Sequence, residues 1–533
     1  MALKKSVRAI LALLAVASVS AAADFAREGL RWWSHIQVLA DDNMEGRNTG
    51  SEGHRKAAQY VAGEFERSGL KPGGTSGYLQ SVKLEMRQLD EAASSLALVR
   101  KGNVIAPLTL GDDATIGFRG DLAPAIEAPA VFVGNGLVIP ERDIDDLAGL
   151  DLKGKIAVYL NGGPSSVPSA LKAHYSSRGE RWKALQKAGA VGMAAIANPK
   201  SMDIPWSRST LARLNPTMTP ADPKLLDVRG MPFSISINPD RAEAIFSDSG
   251  HTFAEILALA NADKPLPTFP LNLSFRARVK ITHSEIESPN VIGILPGTDP
   301  KLKDEYVVFS AHLDHLGVGQ PIKGDKIYNG AMDDASGVAS LIEIATFLHD
   351  EKIKLKRSVL FVAVTGEEKG ELGSMYFAAN PTVPRRSIVA DINMDMFLPL
   401  FPLKYLEVQG LDESTLGEDI RAACKSAGVM VQADKEPDRN LFIRSDQYSF
   451  VQRGVPALAF KFGYEPGSPE EKIAKTWLTE RYHAPSDDLN QPVDKTAAAQ
   501  FNRILLDLGE RVANAKDRPH WNPDSFFRRF ATE

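Results

Sequence analysis

Four apolar runs punctuate the C-terminal half of this chain: Val307–Ala311, Val359–Thr365, Ile388–Met394 and Ala457–Phe462. Each is short, continuous and rich in Val, Ile, Ala or Phe, the pattern of strands buried on both faces. Helical spacing fills the gaps between them. In Ser336–His349 the residues Val338, Leu341, Ile342, Ala345 and Leu348 recur on one face. Strand alternating with helix predicts an α/β fold, a mostly parallel mixed sheet covered by helices. The run NVIGILPG at 290–297 opens this region.

Upstream the pattern changes twice. Residues 41–74 begin as a polar loop and become a helix, with Ala57, Tyr60, Val61 and Phe65 on one side and Gly69 as terminator. Within that loop Asp42, Glu45 and His54 are possible ligands, although Glu45 and Arg47 read better as residues that lock the loop. From about 106 to 270 short β-rich runs end in glycines (PAVFVGNGL, KIAVYLNGG), followed by a helix with Trp182, Leu185 and Ala188 and a strand signal in AGAVGMAAIAN. No His and carboxylate cluster accompanies them, so this reads as an inserted module. Gly162–Gly163 is a lone pair, too little for a phosphate loop. The alternation in LNLSFRARVKI (271–281) predicts an exposed or edge strand that returns the chain to the main sheet.

The first residues carry Lys4, Lys5 and Arg8, then an apolar run from Ala9 to Val19 and small residues at Ala21 and Ala23. That is the pattern of a secretory signal over 1–23. No later stretch is long and apolar enough to span a membrane, so the expectation is an exported protein, periplasmic or secreted. The chain has 533 residues, enough for two or three domains. Its 62 Lys and Arg against 67 Asp and Glu leave no basic stripe and argue against a nucleic-acid partner. Cys424 is the single cysteine, which rules out an intramolecular disulfide framework and reads as a buried structural thiol. Oligomeric state is not legible.

Chemistry gathers where the apolar runs stop. YVVFSAHLDHLG delivers His312, Asp314 and His315 at a strand end, and GAMDDASG places Asp333, Asp334 and Ser336 before a helix. Imidazole and carboxylate so close together suit a divalent metal, zinc best of all. TGEEKGELGS sets Glu367 beside Glu368 after the second run; neighbours on a turn point different ways, so one can hold metal while the other faces a substrate water. NMDM adds Asp395, and YHAPSDD brings His483 on a Pro-containing loop. Two His and three carboxylates are the ligand count of a two-metal hydrolytic site. Other readings stand beside this one. Asp334 or Ser336 reads as a cap for the following helix, His315 as a loop hydrogen-bonder, and Glu371 as surface charge.

These five motifs occur in one order that resembles the co-catalytic zinc aminopeptidase family, which includes glutamate carboxypeptidase-like enzymes. The resemblance covers about 41–74 and 288–494. It implies a zinc exopeptidase fold, with residues 24–110 and 269–533 forming the peptidase domain. Residues 111–268 are similar to the inserted α+β protease-associated domain of many members. It further implies two zinc ions per chain and no other cofactor. His312 and Asp395 would hold one ion, Glu368 and His483 the other, and Asp333 would bridge them. Glu367 would be the general base toward the water between the metals, and Asp314 would orient His312. Peptides would be the substrates, cut from the N-terminus in the leading reading. A carboxypeptidase or dipeptidase is the alternative, with Arg444, Lys461 and Arg481 as possible carboxylate binders. A non-catalytic binding protein on the same scaffold and a glutaminyl cyclase are weaker options. Where many members have a His after Ser-Asp, RSDQYSF has Gln447, in a loop expected to border the substrate pocket.

Overall fold

The computed structural model describes residues 24–202, 204–436 and 441–532. The expected secretory signal at 1–23 lies outside the described residues. The chain divides into two compact units. One is formed by the chain up to Ser81 together with Ser288–Ala433 and the stretch from Asp446 onward. The other is formed by Val82–Glu287 with Asp434–Ser445.

The first unit carries a sheet of β1 (Ile281–Leu295), β2 (Tyr306–His312), β3 (Ser358–Val364), β4 (Ile388–Asn393), β5 (Tyr405–Gln409) and β6 (Ala457–Gly463). Their spatial order is β1-β3-β2-β4-β6-β5. The central four run parallel, while β1 lies antiparallel to β3 and β5 antiparallel to β6. Every residue of β3 and β4 is buried, which is why these strands read as unbroken apolar runs. Alternate side chains feed separate cores: Val307, Phe309 and Ala311 join one cluster and Val308 the other.

Helices cover the sheet: α1 (24–39), α2 (Glu52–Arg67), α3 (Ser336–Asp350), α4 (Leu372–Ala379) and α5 (Lys495–Asn514). Ser51 caps α2 by accepting the His54 N–H at 3.1 Å, and Gly69 follows its end with φ +70°. α3 is buried on nearly every face, beyond the single stripe expected. Its one buried acid, Glu343, is paired by Arg31 of α1, with Nε at 2.7 Å and Nη2 at 2.8 Å. α5 lies so close to β2 that a Cβ on Gly509 would stand 2.5 Å from the Phe309 ring, which itself stacks on Phe361 at 5.6 Å. Only glycine permits that approach.

The second unit is an eight-stranded sheet with two cores of its own. Strands Ala125–Val133, Ile156–Leu160, Gly192–Ile196 and Ser234–Ile237 run parallel through its middle. Two sequence expectations change here. The strand Thr268–Arg278 is neither an edge nor part of the main sheet; it pairs with Ser95–Arg100 on one side and Ala125–Val133 on the other. Alternating polarity reports one buried face, and an inner strand shows it as readily as an edge one. For the same reason the unit is wider than 111–268: the hairpin of Ser95–Arg100 and Asn103–Leu108 is held by that strand's ladder.

Candidate metal centre

Parallel pairing places the ends of β2, β3 and β4 together. His312 stands opposite Val364 and Ser310 opposite Asn393, so the loops after each strand leave the same edge of the sheet. From that edge come His312, the Glu367–Glu368 turn and Asp395. Asp333 arrives on the segment before α3, and His483 on the loop after the helix Pro469–Glu480.

The side chains meet closely. His312 Nδ1 lies 3.0 Å from the main-chain oxygen of Asp314. A carbonyl can only accept, so Nδ1 carries the proton and Nε2 presents its lone pair. Nε2 points at Asp333 Oδ1 (3.2 Å) and Asp395 Oδ1 (3.5 Å). On the other side His483 Nε2 lies 3.3 Å from Asp333 Oδ2 and 3.3 Å from Glu368 Oε2. One carboxylate, Asp333, therefore offers an oxygen to each of two ligand pairs. The group is largely buried yet reachable, with the Asp395 side chain 19% and that of His483 27% exposed.

A metal fits this set. Asp333 Oδ2, Glu368 Oε1 and both ring nitrogens of His315 are buried without a hydrogen-bond partner among the described residues. Such groups cost free energy unless something coordinates them. Mixed imidazole and carboxylate donors suit zinc.

His315 is the ligand-type residue that sequence reading set aside. Its ring is fully buried, with Nδ1 2.7 Å from Glu368 Oε1, off the angle of a hydrogen bond, and 3.7 Å from Asp333 Oδ2. It forms a tight trio with Asp333 and Glu368. A second trio joins His312 and Asp395 to Asp334, but Asp334 is already occupied. Its oxygens accept from the main-chain nitrogens of His312 (3.3 Å), Gly337 (2.9 Å) and Met396 (3.2 Å). Asp334 anchors the start of α3, and Asp333 is left to face the histidines.

Asp314 takes a different place from the one expected. Its main-chain carbonyl orients His312, while its carboxylate accepts the Thr49 hydroxyl at 2.8 Å and the Glu367 N–H at 3.1 Å. Asp487 was missed altogether. Fully buried, it accepts from the main-chain nitrogens of Met332 (3.0 Å) and Asp333 (3.1 Å), so the loop that brings His483 also seats Asp333. Gln447 is buried and accepts from Asn393 Nδ2 at 2.7 Å, which braces the end of β4. Of the three cations considered for carboxylate binding, Lys461 pairs across the ladder with Glu407, Arg481 donates to the Ser486 main chain, and Arg444 belongs to the second unit.

Arg47 does lock its loop. The buried guanidinium donates to the carbonyls of Leu313, Leu39, Asn329 and Gly330 at 2.6–2.9 Å, tying the His312 loop to the segment before Asp333. Burial lowers its pKa to about 10 against the pull of Asp487, Asp334, Asp314 and Asp333, so it stays charged at neutral pH. Removing it would strand four carbonyls at about 1–3 kcal/mol each, comparable with a whole domain's stability of roughly 5–15 kcal/mol.

The adjacent glutamates titrate in opposite directions. Burial pushes the Glu367 carboxyl well above the usual range; His312 opposes this, and Asp395, Glu368 and Asp446 add to it. For Glu368 burial acts the same way but is overcome by His483 and His315, which hold it well below that range. Asp333 is likewise held low, against burial, by His315, His312 and His483. Carboxylates held ionised among imidazoles are metal ligands in waiting, whereas a buried carboxyl with a raised pKa is suited to carrying protons.

Residues 290–509 match peptidase family M28. That segment contains all five expected ligands, Glu367 and Asp314. Carboxypeptidase Q of Xenopus laevis is 30% identical over 122 residues, which is 22% of this chain and 24% of that protein. Aminopeptidase Y of Saccharomyces cerevisiae is 27% identical over 211 residues, 38% of this chain and 35% of its own. The matches thus span about a quarter to a third of these relatives' lengths. The aminopeptidase from Aneurinibacillus sp. strain AM-1 shares the fold, with a TM-score of 0.54, 19% identity and coverage of 92% of this chain and 95% of its own. Among the described residues no helix is long and apolar enough to cross a membrane.

Proposed function

We propose that this protein is a zinc-dependent exopeptidase that holds two zinc ions and removes N-terminal residues from peptides. The observation that carries the reading is Asp333, with one oxygen turned to His312 and the other to His483. His312 and Asp395 would hold one ion, Glu368 and His483 the other, and Asp333 would be shared; His315 stands within reach of the second set. When bound, such a pair supplies Lewis-acid polarisation of a carbonyl and acidifies water. The residues do the rest. Glu367 takes a proton from water and returns it to the departing amine. Asp314 and Thr49 hold the Glu367 main chain, and Asp487 holds that of Asp333. Export through the 1–23 leader and a protease-associated character for residues 111–268 belong to the same proposal.

Carboxypeptidase action is the second reading, favoured by the name of the Xenopus relative. One peptide in three forms separates the two. Acetylating the α-amine removes its charge and adds bulk, so an aminopeptidase loses nearly all cleavage of the acetylated peptide and keeps cleavage of the C-amidated one. Cleavage that survives acetylation and fails on amidation would assign the protein to the carboxypeptidases and leave the metal centre as described.

A further inference from the structure

The turn that carries Glu367 is held from a residue far upstream, outside the segment that matches the peptidase family. Asp314 divides its carboxylate: Oδ1 accepts the Glu367 N–H at 3.1 Å, and Oδ2 accepts the Thr49 hydroxyl at 2.8 Å. Thr49 is 1% exposed. Its methyl carbon lies 3.6 Å from where a Cβ would stand on Gly366, the residue before Glu367. Thr49 thus reaches the same turn twice, by a hydrogen bond through Asp314 and by packing. The stretch around it is itself fixed, since Arg47 bonds four carbonyls and the Gly50 N–H donates to Ser288 Oγ at 3.0 Å.

We propose that Thr49 is a positioning residue for Glu367, acting through Asp314. The proposal rests on the reading of Glu367 as the general base. A carboxylate bonded at one oxygen can rotate about its last torsion, which is broad and soft. A second donor on the other oxygen sets its plane, and with it the height of the Glu367 backbone over the reacting water. Proton transfer depends on that height to within a fraction of an ångström.

Two substitutions separate the hydrogen bond from the packing. Thr49→Val keeps the methyl against Gly366 and removes the hydroxyl; Thr49→Ser keeps the hydroxyl and removes the methyl. Thr49→Val is expected to lower kcat about 10-fold, the lower end of what such outer partners contribute, with KM and zinc content unchanged. It should also speed amide hydrogen exchange at Glu367, a readout independent of activity. Thr49→Ser should restore both. Added to Asp314→Asn, Thr49→Val should cost nothing more, because the two act through one path. Wild-type kcat and exchange in Thr49→Val would overturn the proposal. So would equal losses in Thr49→Val and Thr49→Ser, which would mark a packing role. If the wild-type protein held no zinc or cut no peptide, the exopeptidase reading would fall instead, and exchange at Glu367 would still decide the Thr49 contact.

Discussion

Glu367→Gln is expected to lose about 10²–10⁴-fold in kcat, the usual contribution of a positioned acid–base group, while keeping its zinc and its fold. The expectation follows from where Glu367 stands. It sits one residue from Glu368 yet is absent from the contacts that join Glu368 to His315 and His483. Burial raises its pKa while the imidazoles depress that of Glu368, so the two neighbours sit in different electrostatic surroundings, as the proposed division into base and ligand requires. Amide replaces carboxyl at nearly constant volume, leaving packing intact and removing only proton transfer. Since that transfer matters in the transition state, kcat and kcat/KM should fall together. Steady-state kinetics with metal analysis of the same preparation checks this. A Glu367→Gln protein that had lost its zinc but retained activity per bound metal would reverse the assignment within the pair.

Asp333→Asn is expected to have the largest effect on the metal centre. Asp333 lies 3.2 Å from His312 and 3.3 Å from His483 through different oxygens. Exchanging one oxygen for an amide nitrogen removes a negative charge and one of the two shared donors. The loss of zinc affinity should exceed the roughly 10–100-fold that removal of an outer partner costs, and it should affect both ions. A neighbouring exchange, Glu371→Gln, touches none of these contacts and should bind zinc normally. Competition with a chelator of known affinity measures the difference. Loss of one ion with the other held at wild-type affinity would show that Asp333 serves a single site.

The parts legible from the sequence were those written into local pattern. Fully buried parallel strands leave continuous apolar runs, so β2, β3, β4 and β6 stand out, and three of the candidate motifs follow the ends of β2, β3 and β4. Sheet order was not legible, because periodicity reports which face a strand buries and not which strand lies beside it. That is why LNLSFRARVKI reads as an exposed or edge strand, whereas Thr268–Arg278 lies between two partners inside the second sheet. The supporting residues escaped for a related reason. Asp487 acts on the main chain of Met332 and Asp333, and Gln447 on Asn393, across distances in sequence that no period connects. His315 has the right chemistry three residues after His312, but loops impose no spacing that would mark it as facing Glu368. For Asp314 the sequence suggests a contact with His312 and gives no sign of which of its atoms would make it. Its carbonyl, which any residue would supply, does the orienting of His312, and its carboxylate serves Glu367.

The measurement that tests the account most directly is a zinc titration of metal-stripped protein, with peptide hydrolysis followed at each addition. Hydrolysis should be absent at the start, rise with added zinc, and level off at about two equivalents per chain, the number that the proposed pair of sites sharing Asp333 would hold. Full hydrolysis by protein shown to contain no metal would contradict the account.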